Sequence, residues 1–239
     1  MRRHQLVGGI SVMMKRLLWI GAGLLAIIVL GAAYVLRTPE TASEPITAVT
    51  LASNSEIATT DAGLTTFTIS QASSQASFSL GEDLRGVRTE VLGVTDQVAG
   101  EIAIDPSNLQ ATLLGTIQIN ARTLATDNDF RNRAIQNEIL ETDSYEYITF
   151  TPTDISGLPD SIDLNETVSF TVSGDLTIRD VSQPVTFTVT ATLTSESTLE
   201  GTATTSITRA DFDLTIPSVP QVANVDEEVV LTLTFTANS

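Results

Sequence analysis

Few side chains in this sequence are equipped for covalent chemistry. The only histidine is His4, the only lysine is Lys15, and there is no cysteine. A Ser-His-Asp triad, a Cys-His pair, a Schiff-base lysine and a metal held by imidazole or thiolate are therefore excluded from everything after Arg37. Carboxylates remain. Asp211 and Asp213 flank Phe212 at a strand spacing that would put both on one face, as acid–base work requires, but no sugar-binding aromatic set accompanies them. Asp127-Asn128-Asp129 and Asp226-Glu227-Glu228 offer oxygen ligands for Ca²⁺. Neither has a full loop pattern, so both read as solvated acidic turns. The expectation is a protein that is not an enzyme, with no metal site and no cofactor.

The guanidinium groups are more selective. Arg122, Arg131 and Arg133 cluster around one short segment of an otherwise acidic domain. A guanidinium fork suits a phosphate or another polar head, which makes these three head-group candidates. Pairing with Asp127, Asp129 or Glu138 is the competing structural role. The net charge of −17 argues against nucleic acid, and against an anionic membrane surface as the main partner.

The elements that must position these groups are strands. Val168 to Leu193 puts Val168, Phe170, Val172, Leu176 and Ile178 on one parity, then Val185, Phe187, Val189, Ala191 and Leu193, against serines and threonines on the other. Period-two alternation means one dry and one wet face. The stretch reads as a long antiparallel hairpin with the polar turn Arg179-Asp-Val-Ser-Gln-Pro184 and with Pro184 at a strand start. Similar runs occupy the rest of the chain from Leu64. One segment departs: Asp127 to Leu140 spaces Phe130, Ala134 and Ile135 as a short helix would, with Asp127 or Asn128 able to cap it. The fold class is all-β, and alternation alone allows either a barrel or a sandwich.

The inward parity gathers Phe78, Ile102, Ile117, Phe150, Phe170, Val172, Phe187, Val189, Leu233 and Phe235. Such a set is packed core or, in part, the lining of a tunnel for an alkyl or prenyl chain. Each buried CH₂ of a ligand contributes about 0.8 kcal/mol, so a long chain needs no strong polar contact.

Upstream of the strands, residues 1–16 are a basic segment and residues 17–36 are an uncharged run of the length of a membrane-spanning helix. Arg2, Arg3, Lys15 and Arg16 precede that run, which predicts a cytoplasmic N-terminus and an extracytoplasmic domain, periplasmic or at the cell surface. A signal anchor is expected; cleavage near Gly31-Ala32-Ala33 would instead give a secreted protein. Residues 37–63 read as a flexible linker, and residues 64–239 as the domain.

Several ordered motifs resemble the YceI-like family. Gly174-Asp-Leu-Thr-Ile-Arg-Asp-Val-Ser-Gln-Pro-Val185 is similar to its most recognisable hairpin. Asn120-Ala-Arg-Thr-Leu124, Asp129-Phe-Arg-Asn-Arg133 and Leu140-Glu-Thr-Asp-Ser-Tyr-Glu-Tyr-Ile-Thr-Phe150 resemble its strand–helix–strand segment. Ile207-Thr-Arg-Ala-Asp-Phe-Asp213 and Val225-Asp-Glu-Glu-Val229 resemble its last two strands and their connection. Glu146 stands where a proline is common in that family. The resemblance implies an antiparallel lipocalin-like β-barrel with one short inserted helix. It also implies extracytoplasmic binding or transport of a polyisoprenoid, quinone or related amphiphilic lipid. The alternative is a β-sandwich with a solid core that binds protein or cell wall.

Overall fold

Threonine alternating with Val, Ile, Leu or Phe forms strands because β-branched and aromatic side chains fit a pleated, half-buried surface. The computed structural model describes residues 37–43, 46–48 and 63–239. There the pattern yields one antiparallel sheet of thirteen strands. The first half contains β1 (Thr65–Ile69), β2 (Gln75–Leu84), β3 (Val87–Thr95), β4 (Val98–Ala99), β5 (Glu101–Ile104), β6 (Leu113–Leu114) and β7 (Ile117–Asn120). After helix α1 (Asp129–Ala134) come β8 (Tyr147–Ser156), β9 (Thr167–Ile178), β10 (Val181–Ser195), β11 (Thr198–Thr208), β12 (Val222–Ala223) and β13 (Glu228–Asn238).

The ladder path is β4-β7-β8-β9-β10-β11-β13-β1-β5-β6. Gly100 alone separates β4 from β5, so the path comes back to the stretch of chain it left. The result is a curled, lipocalin-like sheet with one short helix and not two stacked sheets, so the sandwich alternative does not form. Strands β2 and β3 extend it, β2 pairing with β13 beside β1. Gly174 shows how tightly it curls: a Cβ there would lie 2.4 Å from the Thr151 carbonyl oxygen and 2.8 Å from the Phe150 ring. Only glycine lets β8 and β9 approach so closely next to the register shift between Pro152 and Asp154.

The two ends of the sheet differ. At the far end the loops cross: Leu109 N–H donates to Asp160 O, and Ile162 N–H donates to Pro106 O. Both Leu109 and Ile162 are buried in the core, which closes that end. The other end carries α1, the β2–β3 tip, the β9–β10 turn and the Arg209–Phe212 turn. All seven arginines after Arg37 belong to these elements or to the end of β7.

Three local expectations are corrected. The hairpin turn is only Arg179-Asp180, with Arg179 at φ 57°, and Pro184 lies within β10 opposite Asp175. Strand β10 pairs with β11 only from Thr188 onward, so one side is open at Pro184, which is where a strand accepts proline. The helix ends at Ala134 and widens into a π-helical turn, Ile135–Ile139; Asn128 caps it by accepting from the Phe130 and Arg131 N–H groups. Phe130 does not reach the core and is exposed. Asp211 and Asp213 lie in a 3-10 turn with Asp213 left-handed at φ 52°, so they share no strand face.

Residues Pro39–Ser239 form one compact unit. Residues 1–36, with the apolar run 17–36, lie outside the described residues, as do 44–45 and 49–62 of the expected linker. Among the described residues no helix is long and apolar enough to cross a membrane.

Candidate functional site

Register places the inner side chains in rows across the sheet. Nearest the closed end are Leu193, Leu199 and Ala237, then Val168, Ala191, Gly201 and Phe235. All the apolar members of these two rows are buried. The next row is Phe170, Val189, Ala203 and Leu233, and the one after it includes Val172, Phe187, Leu231 and Phe78. Here the burial breaks. Phe170, Ala203, Leu233, Phe187, Leu231 and Phe78 pack against the core yet stay only half-buried. Their outward neighbours Thr186, Thr188 and Thr190 are exposed, so the parity is clear. An inner-face side chain stays accessible where nothing packs fully over it.

The ten inward residues expected from sequence all fall in the core or against it. Ile102, Ile117, Phe150, Val172, Val189 and Phe235 are buried, while Phe78, Phe170, Phe187 and Leu233 border the half-buried band. Phe150 and Phe187 bridge the two sets, with ring centroids 4.9 Å apart in an edge-to-face contact.

The three expected head-group arginines lie at the helix end but do not form one cradle. Arg122 bonds Glu146 at 3.0 Å and Glu40 at 3.1 Å, and its Nε donates to the Thr142 carbonyl. Arg131 bonds Glu82 and Asp127, each at 2.7 Å. Arg133 has no carboxylate partner among the described residues and lies over the Phe130 ring at 5.9 Å. Asp127, named as a competing partner, is thus one of the two acids on Arg131.

Two acids complete this end, Glu82, which no sequence motif marks, and Glu146. Glu82 is buried and shares the inner face of β2 with Ala76, Phe78 and Leu80. The signal was present: a charged residue at the next inward position after Phe78 and Leu80. Glu146 accepts from the Ser43 N–H at 2.6 Å, the Ser43 hydroxyl at 3.0 Å, the Asn120 amide at 3.1 Å and Arg122. Burial pushes the Glu146 carboxyl up, but the Ser43 bonds, the Arg122 charge and the Asn120 amide outweigh it and hold the group below the usual carboxylate range. The short segment around Ser43 is thereby tied down. Arg122 also donates to Thr41 O, Gln71 donates to Ile46 O, and Ile46 is buried.

The YceI-like domain family matches residues 67–237. The chain belongs to the YceI-like family. Among solved structures, BcnA of Burkholderia cenocepacia is similar at 20% identity and a TM-score of 0.56, over 71% of this chain and 99% of that one. A Saccharophagus degradans structure described as a polyisoprenoid binding domain implicated in plant cell wall breakdown is similar at 14% identity and a TM-score of 0.58. That match covers 72% of this chain and 98% of the other. No curated protein matches the sequence. Within this YceI-like domain, the Glu146 carboxylate is the group that fastens Ser43.

Proposed function

We propose that the domain binds a hydrophobic chain, such as a polyisoprenoid, a quinone or a related amphiphilic lipid, inside the curled sheet. The observation that carries this reading is the half-buried inner band of Phe78, Phe170, Phe187, Leu231 and Leu233 between buried rows. YceI-like membership and the polyisoprenoid-binding description of the Saccharophagus neighbour support it. Apolar burial supplies the affinity: ten buried CH₂ groups are worth about 8 kcal/mol before the cost of immobilising the chain. The assignment is to binding and not to catalysis. The ten inward residues are the proposed lining, and the polar end of the ligand faces the helix end, near Arg131 and Arg133. Residues 17–36 serve as an anchor or signal that delivers the domain outside the cytoplasmic membrane, for binding or transport there.

Solvent extraction of the purified protein, followed by mass spectrometry, tests the reading. Recovery of a long-chain lipid in near-stoichiometric amount is expected. Repeated recovery of none, together with no uptake of added chains, would overturn it.

A further inference from the structure

Resting on the lipid-binding reading, the inference concerns which polar end the site accepts. Strand β2 alternates regularly through its ladder with β3, so Ala76, Phe78, Leu80 and Glu82 share one face. Phe78 and Leu80 border the half-buried band, and Glu82 is the next inner position toward the helix end. The opposite face at this level is already occupied: a Cβ on Gly81 would meet the Arg88 guanidinium and the Asp226 carboxylate. Glu82 is therefore not part of that outer ion-pair cluster.

Glu82 is 5% exposed. Its Oε1 accepts from Arg131 Nη2 at 2.7 Å. Its Oε2 accepts no hydrogen bond from any described residue and is not one of the fully enclosed polar atoms, so a polar group can reach it. Arg131 does not serve both oxygens: its Nη2 goes to Oε1, and its Nη1 is bound to Asp127 at 2.7 Å. The local balance is one guanidinium against two carboxylates. A phosphate or carboxylate arriving here would add a third negative charge beside the accessible Oε2, which can only accept. A hydroxyl or amide would instead donate to Oε2 and fill it.

We infer that Glu82 selects the head group, and that the ligand is a long-chain amphiphile with an uncharged, hydrogen-bond-donating polar end, a hydroxyl or a primary amide. Arg131 then acts as a positioning residue that holds the Glu82 carboxylate, and it is not an anion receptor.

The test compares dodecanol with dodecyl phosphate, matched in chain, by displacement of a fluorescent apolar dye from the full-length protein at low salt. Wild-type protein should bind the alcohol at least about tenfold tighter, the scale of one hydrogen bond to a charged group. Glu82→Gln keeps the side-chain size and frees Arg131, so the preference should fall at least about tenfold or reverse. Glu90→Gln removes a carboxylate from the outer face of β3, opposite Gly81, and should leave the ratio unchanged. Equal binding of both probes to wild type, or tighter binding of the phosphate, would overturn the inference and leave the lipid reading intact. A Glu82→Gln ratio equal to wild type, or an equal change in Glu90→Gln, would also overturn it. Failure of both probes to bind wild type would count against lipid binding itself. The wild-type ratio alone decides if Glu82→Gln does not fold.

Discussion

The closed end and the middle of the barrel are written in the same sequence pattern and end in different physical states. At the closed end, Phe67, Leu193, Leu199 and Ala237 are buried among crossing loops. Two and three rows away, Leu233, Phe187 and Leu231 face the same interior and remain half-buried. The same alternation runs through both places. What differs is what lies across the sheet: Leu109 and Ile162 fold in at the closed end. Alternation fixes which face a side chain takes, and the loops decide whether that face is filled.

The largest effect should come from the closed end. Phe67→Ala removes a ring that is 1% exposed, and should cost about 3–5 kcal/mol in denaturant melts, because a cavity opens in a filled core. A loss below about 1.5 kcal/mol would mean the closed end is loosely packed, and the contrast would break.

An intermediate effect is expected at the helix end. Glu146→Gln weakens the fastening of Ser43 without touching the closed end. Hydrogen exchange at the Ser43 amide should speed roughly tenfold, the scale of one charged hydrogen bond, while Ala237 and Leu199 keep their protection. Acid should do the same in wild type. The folded carboxyl titrates below its ordinary 4.5, so its contribution is complete above that value and is lost as pH falls through the depressed one. Ser43 protection that is unchanged by acid would contradict the clamp.

Phe187→Ala should cost only about 1 kcal/mol in lipid-stripped protein, since the ring is half-buried and already borders open space. In lipid-loaded protein it should cost more, because ligand contacts are lost and bound ligand stabilises the fold by mass action. A full core-sized loss that lipid does not change would place Phe187 in solid core. The smallest effect is Thr188→Ala on the outer face, expected within about 0.5 kcal/mol.

Much of this was legible from residue order. Val168 to Leu193 shows its hairpin and its inward face directly, and the Asp129-Phe-Arg-Asn-Arg133 motif marks the helix. The depth of each inward residue was not legible, because period-two alternation carries no information about what lies opposite. The pairing of Arg131 with Asp127, four residues away, was legible as an alternative, but its second partner Glu82 was not, because it is 49 residues away on another strand. The Ser43–Glu146 contact spans 103 residues and joins a segment without periodicity to a single acid, so no local pattern announces it. Pro184 misled for a related reason: the open β11 side that accommodates it is a property of the sheet and not of the sequence around it.

The central claim, that the middle of the barrel holds a chain while the closed end does not, is tested most directly by a crystal structure with a long-chain alcohol brominated at its far end. Anomalous scattering locates the bromine without ambiguity. The account predicts a single strong peak inside the sheet, beside Phe170 and Leu233, with the hydroxyl toward Glu82. A peak only on the outer surface, with the side chains of Phe187, Leu231 and Leu233 closed against one another, would contradict it.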